Sequence, residues 1–222
     1  MDYQSGSGIC SKKNARDRLI RLAQAYPAWV WGFEDEVGSS RVAQPRLRTW
    51  AEADTPLRLQ ELAPAKQDRD PKTLACYGLL VRRPGHPTVP EHMLLRFGEG
   101  RPVSAVTIDF LQWSCQSLAR QRVKVLALIW DNAPWHVSQM VRTWIRAHNQ
   151  QAKRTGRGVR ILLCYLPSKS PWLNPIEPKW MHGKRAIVEP ARLLLADELA
   201  DRVCTHFDCV HEPHLVAPEK VP

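Results

Sequence analysis

Three acids sit where strands or a helix could direct them toward one site: Asp35, Asp131 and Glu177. Asp35 belongs to the aromatic and β-branched segment Trp29 to Glu36, which reads as a strand. Its alternation puts Trp29, Trp31, Phe33 and Asp35 on one face and Glu34 and Glu36 on the other. Asp131 ends the apolar run Val125 to Trp130, which has the pattern of a strand buried on both faces. The carboxyl ends of such strands open on the crevice where α/β sheets bind ligands. Glu177 follows the turn formers Ser170 and Pro171 near a helix start. There Asn174 as N-cap, Pro175 at the first helical position and Glu177 three residues beyond the cap make a capping-box-like pattern. Three acids on three elements could converge; the plainer alternative is two surface acids and a capping glutamate.

The strings around these acids resemble the DDE transposases of bacterial insertion sequences in the mariner-like superfamily. They are FEDE at 33–36, WDNAPWH at 130–136 and YLPSKSPWLNPIEPKW at 165–180, the last holding the specific run SPWLNPIE. PRLRTWA at 45–51 and HGKRAIVEP at 182–190 extend the resemblance to roughly residues 10–215. It implies a ribonuclease H-like fold and makes Asp35, Asp131 and Glu177 a catalytic, metal-binding triad, with 95 and 45 residues between successive members. Two hard cations, Mg²⁺ or Mn²⁺, about 3.5 to 4 Å apart, would then bridge the scissile phosphate. One would activate the attacker and the other stabilise the leaving 3′ oxygen, so that strand cleavage by water and strand transfer by a DNA 3′-hydroxyl share one site. The resemblance further implies DNA partners, both transposon ends and target, insertion at TA dinucleotides, and a homodimer at synapsis.

Asn132 and His136 match the family's DN…H pattern and could orient Asp131 or touch DNA; at a strand-to-helix junction, where polar caps are common, the default reading is a cap or a place behind the triad. Glu36 adjoins Asp35 but faces the other way. Lys169, Trp172, Asn174, Lys179, Lys184 and Arg185 are expected to contact DNA around the third acid, and Arg41, Arg46 and Arg48 could grip phosphates after the first. The basic run KRTGRGVR at 153–160 reads equally well as a solvated face. Val37, Gly38, Ser39 and Ser40 stand where bulky aromatics are frequent in the family, which is expected to loosen packing near Asp35. Cys204, His206, Cys209, His211 and His214 have a composition that can bind zinc, but lack the long gap that separates two ligand pairs in structural sites. Cys204 reads instead as part of an apolar helix face.

The elements that would position these residues follow in order. A helix at 12–26 leads to the strand of Asp35, then come strands near 47–53, 73–81 and 93–97 that return on one another. From residue 103 the order becomes helix, strand, helix, strand, helix, with KRTGRG closing the second helix, the third at 174–188 and one more helix at 193–207. This is one α/β domain with a mixed sheet. Residues 1–26 are expected to lead into a catalytic core at 27–190, with a C-terminal helix and Pro-rich tail at 191–222; the helix-turn-helix region that precedes the core in full-length relatives is expected to be missing. The 222 residues carry 32 Lys and Arg against 22 Asp and Glu, a net charge of +10 that fits a polyanionic partner. No apolar run reaches membrane-spanning length and no secretory signal is visible, so a cytoplasmic protein is expected. Six scattered cysteines fit reduced thiols. Two functions from different classes result: a metal-dependent DNA strand transferase, or a catalytically inactive remnant that binds DNA through charge alone.

Overall fold

The computed structural model describes residues 6–42, 64–83, 91–187 and 192–216. The strand expected at 47–53, most of the connection at 54–71, the string PRLRTWA and the expected phosphate contacts Arg46 and Arg48 lie outside the described residues. The strands are β1 (Trp29–Ser40), β2 (Thr73–Arg82), β3 (His92–Glu99), β4 (Val125–Trp130) and β5 (Arg160–Tyr165). The helices are α1 (Gly6–Gln24), α2 (Ser104–Arg120), α3 (Gln139–Thr155), α4 (Ile176–Ile187) and α5 (Ala196–His206), with a 3-10 turn at Pro171–Leu173. The strands form one sheet in the order β3-β2-β1-β4-β5. The first three pair antiparallel, and β4 and β5 run parallel to β1. This is the mixed, ribonuclease H-like arrangement expected from the sequence.

Both faces of the sheet are covered, which makes β1 a central strand with two buried sides. Trp31 and Phe33 face a core shared with Trp180 of α4 and Leu199 and Val203 of α5. Val30 faces the other core, with Phe110 and Leu111 of α2 and Val141 and Ile145 of α3. Alternation along β1 therefore holds as read. Every residue of β4 is buried, so truncating Leu126 or Leu128 to Ala would cost about 2–5 kcal/mol.

Two local expectations are corrected. The small residues after Asp35 do not loosen the strand: Val37, Gly38 and Ser39 continue the ladder opposite Cys76, Ala75 and Leu74, and Ser39 Oγ accepts from Cys76 Sγ at 3.3 Å. This end of β1 stays paired to β2 through Ser40. Asn174 does not cap α4 through its side chain, since its buried Oδ1 has no hydrogen-bond partner; only its backbone carbonyl accepts, from the Glu177 amide at 3.2 Å. The 3-10 turn just before it fixes the approach to the helix. By contrast, α3 closes where the sequence puts it. Gly156 takes a φ of 67°, a left-handed value that only glycine adopts freely.

A candidate active site at the ends of β1, β4 and α4

Parallel pairing sets Phe33 opposite Ile129, and the same register carried two residues further brings Asp35 beside Asp131. On the other side of β1, Asp35 is paired with Gly78 of β2. A Cβ on Gly78 would lie 2.4 Å from the Trp180 ring. The missing side chain thus lets α4 settle on the sheet next to Asp35, and Glu177 stands three residues before Trp180 on that helix. Asp131 and Glu177 both line a cleft of about 280 Å³, together with Asn132, Lys169, Ser170 and Asn174.

The three acids act on one another. Burial, reinforced by the negative charges of Glu177, Glu34, Glu36 and Asp131, pushes the Asp35 carboxyl from its ordinary 3.8 to about 8. Glu177 is raised by burial and by Asp131, with Lys184 opposing. Asp131 goes the other way. Burial disfavours its charge, but hydrogen bonds from His136 and the Ala133 amide, with the charge of His136, hold its carboxyl below the usual range. Asp35 and Glu177, whose proton affinity is raised by burial and by neighbouring carboxylates, are electrostatically unsatisfied, and a cation satisfies them.

Behind Asp131 lies a second, fully buried cluster. His136 Nδ1 is 2.7 Å from Asp131 Oδ1, and its Nε2 is 3.1 Å from Glu36 Oε2. Trp130 stacks on the imidazole with centroids 4.5 Å apart, and Trp135 meets it edge-on. Glu36 also accepts from Trp135 Nε1 at 2.9 Å and from Thr107 Oγ1 at 3.4 Å, so it ties β1 to α2 and to the loop that carries Asp131. Glu34 Oε2 lies 3.0 Å from the same Nε2, as an ion pair whose angle leaves both Glu34 oxygens without a hydrogen bond. Burial and the neighbouring Glu36 raise the Glu34 carboxyl to about 7, against the pull of His136. For His136 burial disfavours the charged form, yet Glu34, Asp131 and Glu36 together raise its pKa far above the ordinary value.

Glu34, Glu36 and His136 bring three ligand atoms within 4.8 Å of one another, a group that could hold a metal ion. The imidazole, however, already stands between the carboxylates on its two sides. The cleft offers a different donor set: the carboxylates of Asp131 and Glu177 and the unpartnered Asn174 Oδ1, with Asp35 in electrostatic reach of both acids. These are all oxygen atoms, as hard divalent cations prefer.

The other expected contacts divide. Lys169 and Trp172 are exposed by the cleft, Trp172 to 72%, and Lys169 holds a φ of 56°, a left-handed value that costs a non-glycine residue about 1 kcal/mol or more. Lys184 and Arg185 are exposed on α4. Lys179 is instead ion-paired to Glu91 at the start of β3, which Arg82 also holds. Asn174 is buried and reaches only the cleft. Asn132 does not touch Asp131: its Nδ2 donates to Leu166 O at 2.7 Å, which pins the loop to the end of β5. Arg41 is a structural cation and cannot grip phosphate. It is 1% exposed, paired with Asp68 at 2.8 Å and donating to Leu194 O at 2.7 Å. Of the C-terminal cluster, Cys204 packs in the core and His211 is held by Asp201 at 2.7 Å.

Sequence reasoning left Glu34 out and gave Glu36 no contact. The available signal was that β1, as a central strand, must bury both faces, so acids on its second face also end inside.

No helix among the described residues is long and apolar enough to cross a membrane. No curated protein matches the chain. Among solved structures, the chain is similar to the Mos1 transposase paired-end complex with left transposon end at 17% identity and a TM-score of 0.58, covering 94% of this chain and 57% of that one. It is similar to the Mos1 mariner paired end complex with Mn at 16% identity and a TM-score of 0.57, covering 94% and 57%. The catalytic domain of Mos1 mariner transposase gives 14% identity and a TM-score of 0.51, with 94% and 85% covered. The chain thus spans 57% of the transposase in the first of these complexes, and the likeness is one of fold. Residues 31–199, most of the chain and all three acids, match the DDE superfamily endonuclease model, and the chain belongs to that family.

Proposed function

We propose that the chain is the catalytic domain of a transposase, of the bacterial insertion-sequence type, which cuts DNA at the ends of its element and joins them to target DNA. The observation that carries this reading is the geometry of the acids, with Asp131 and Glu177 lining one cleft and the β1–β4 register setting Asp35 beside Asp131, within a family whose members are endonucleases. Asp35, Asp131 and Glu177 would hold the divalent metal, and Asn174 Oδ1 offers a neutral acceptor in the same cleft. Two bound ions, Mg²⁺ or Mn²⁺, would activate the attacking oxygen and stabilise the leaving 3′ oxygen. His136 fixes the direction of the Asp131 carboxylate, and Asn132 fixes the loop. Lys169, Lys184 and Arg185 would contact phosphates beside the scissile bond, and Trp172 offers an exposed ring for a base or sugar.

Several observations support the finer parts. The similar Mos1 structures are complexes with a transposon end and with Mn, and the net charge of +10 suits DNA. Pairing of two ends implies two active sites and hence a homodimer at synapsis, working on nucleoid DNA in the cytoplasm. The discriminating experiment offers the purified chain a pre-cut duplex with a 3′-hydroxyl end, a supercoiled plasmid, and Mg²⁺ or Mn²⁺. Covalent joining of the duplex to the plasmid, lost with chelator, is expected of a transposase. Metal-dependent nicking without joining would make the chain an endonuclease only, and DNA binding with neither would favour the inactive remnant.

A further inference from the structure

The longest acid-free stretch of the chain runs from Asn132 to Ile176, 45 residues that include seven Lys or Arg. Helix α3 lies in it. Arg142, Arg146 and Lys153 are exposed on α3, and at about 100° per residue they fall within about 40° of one another. Their direction is fixed by Asn149 on the same flank. Its Oδ1 accepts from Ile161 N at 2.7 Å and its Nδ2 donates to Ile161 O at 2.8 Å. Strand β5 ends the sheet, and its neighbouring residue Arg160 bonds inward to Lys124 O, so Ile161 presents its backbone to the free edge. The three cations therefore line the flank of α3 beside that edge, and Arg157, in the turn that joins α3 to β5, is exposed as well.

A merely solvated helix surface usually mixes both signs, because Glu and Lys four residues apart stabilise each other. Here Arg142 and Arg146 repel at that spacing, and Arg142 sits in a first turn that contains no acid to suit the helix dipole. None of Arg142, Arg146, Lys153, Arg157 and Arg160 has an ion pair among the described residues. Charged edges also deter strand pairing, but that needs one or two cations rather than a row.

We propose that this flank of α3 and the adjoining edge of β5 form a second DNA tract, separate from the cleft, that grips the phosphate backbone of duplex DNA. The inference rests on the reading of DNA as substrate. Arg142 to Lys153 spans about 16 Å, over which a duplex presents about nine phosphates on its two strands. The helix begins just beyond the loop that carries Asp131, so the tract starts near the active site and leads away from it. It reads no sequence, since cations aligned on phosphates position a duplex without touching base edges.

The test measures affinity for a duplex of arbitrary sequence across a salt series, by fluorescence anisotropy. The variant Arg142→Gln/Arg146→Gln/Lys153→Gln is compared with wild type and with Lys66→Gln/Arg69→Gln/Lys72→Gln, which removes the same charge from exposed residues elsewhere. Loss of three phosphate contacts lowers the slope of log K against log salt by about 2 to 3. That drop is expected in the α3 variant alone, with thermal unfolding unchanged, and the charge-preserving Arg142→Lys/Arg146→Lys/Lys153→Arg should restore the slope. An unchanged slope in the α3 variant, or an equal drop in both neutralised proteins, would overturn the tract while leaving cleavage by the wild-type chain untouched. A wild type that binds no duplex would overturn the transposase reading itself. Asp131→Asn should keep the full slope, which separates gripping from chemistry.

Discussion

His136 Nδ1 and Asp131 Oδ1 stand 2.7 Å apart, with the carboxylate half-exposed to the cleft and the imidazole wholly enclosed. The far nitrogen of the same ring meets Glu36 and Glu34 on β1. One side chain thus spans from the strand that carries the first acid to the loop that carries the second. Asp131 is aimed from behind by a ring that Trp130 and Trp135 keep from turning.

This arrangement predicts that His136→Asn lowers metal-dependent cleavage by about 10- to 100-fold, the usual effect of losing a group that orients a metal ligand. The expected pattern is weaker metal affinity with partial recovery at high Mn²⁺. An activity loss that no metal concentration relieves, with unchanged metal affinity, would argue against a positioning role.

Gly78 makes room for the Trp180 ring beside Asp35. Gly78→Ala forces the ring and α4 away from the sheet, at a cost of about 1–3 kcal/mol in denaturant unfolding, and moves Glu177 from its partners. Cleavage should fall by more than the loss of folded protein explains. Trp180→Leu in the same chain should recover part of the activity by vacating the space.

Acid–base linkage in metal-free protein has a definite sign. The Asp35 carboxyl is raised to about 8 from an ordinary 3.8, so the folded state binds the extra proton between those values. The associated stability is fully present below about 3.8 and is lost as pH rises through about 8. Asp35→Asn should therefore raise the melting temperature of metal-free protein more at pH 8 than at pH 5. Mg²⁺ or Mn²⁺ should stabilise wild type more at the higher pH, because binding displaces that proton. Equal metal-induced shifts at both pH values would contradict the shared charge.

Arg41 is buried between Asp68 and Asp70, and Arg41→Ala leaves those acids without their partner. Losing the enclosed guanidinium and its hydrogen bonds to Leu194 O and Asp68 is expected to lower stability in denaturant unfolding. The salt dependence of DNA binding by the remaining folded protein should not change. A reduced salt slope would return Arg41 to the DNA surface.

Much of this arrangement was legible in the residues. The apolar run before Asp131, the alternation around Asp35 and the glycine that closes α3 are local signals, and each appears where it was read. Long-range partners were not legible. Nothing local to Arg41 distinguishes a cation destined for Asp68 from one destined for phosphate, and nothing around Lys179 announces Glu91. Glu36 was placed on the correct face of β1, but that face looked polar only because its cover comes from far along the chain, 71 residues away for Thr107 of α2 and 99 for Trp135 in the 131–138 loop. The role of Gly78 needs both the register of β2 against Asp35 and the docking of α4, and neither is a property of the strand alone.

The most direct test of the central claim is nicking of supercoiled plasmid in Mg²⁺ or Mn²⁺ by wild type, Asp35→Asn, Asp131→Asn and Glu177→Gln. If the three acids form one site, each substitution abolishes metal-dependent nicking in a folded protein, and a double variant is no worse than either single one. Nicking at the wild-type rate by any one of the three variants would contradict it.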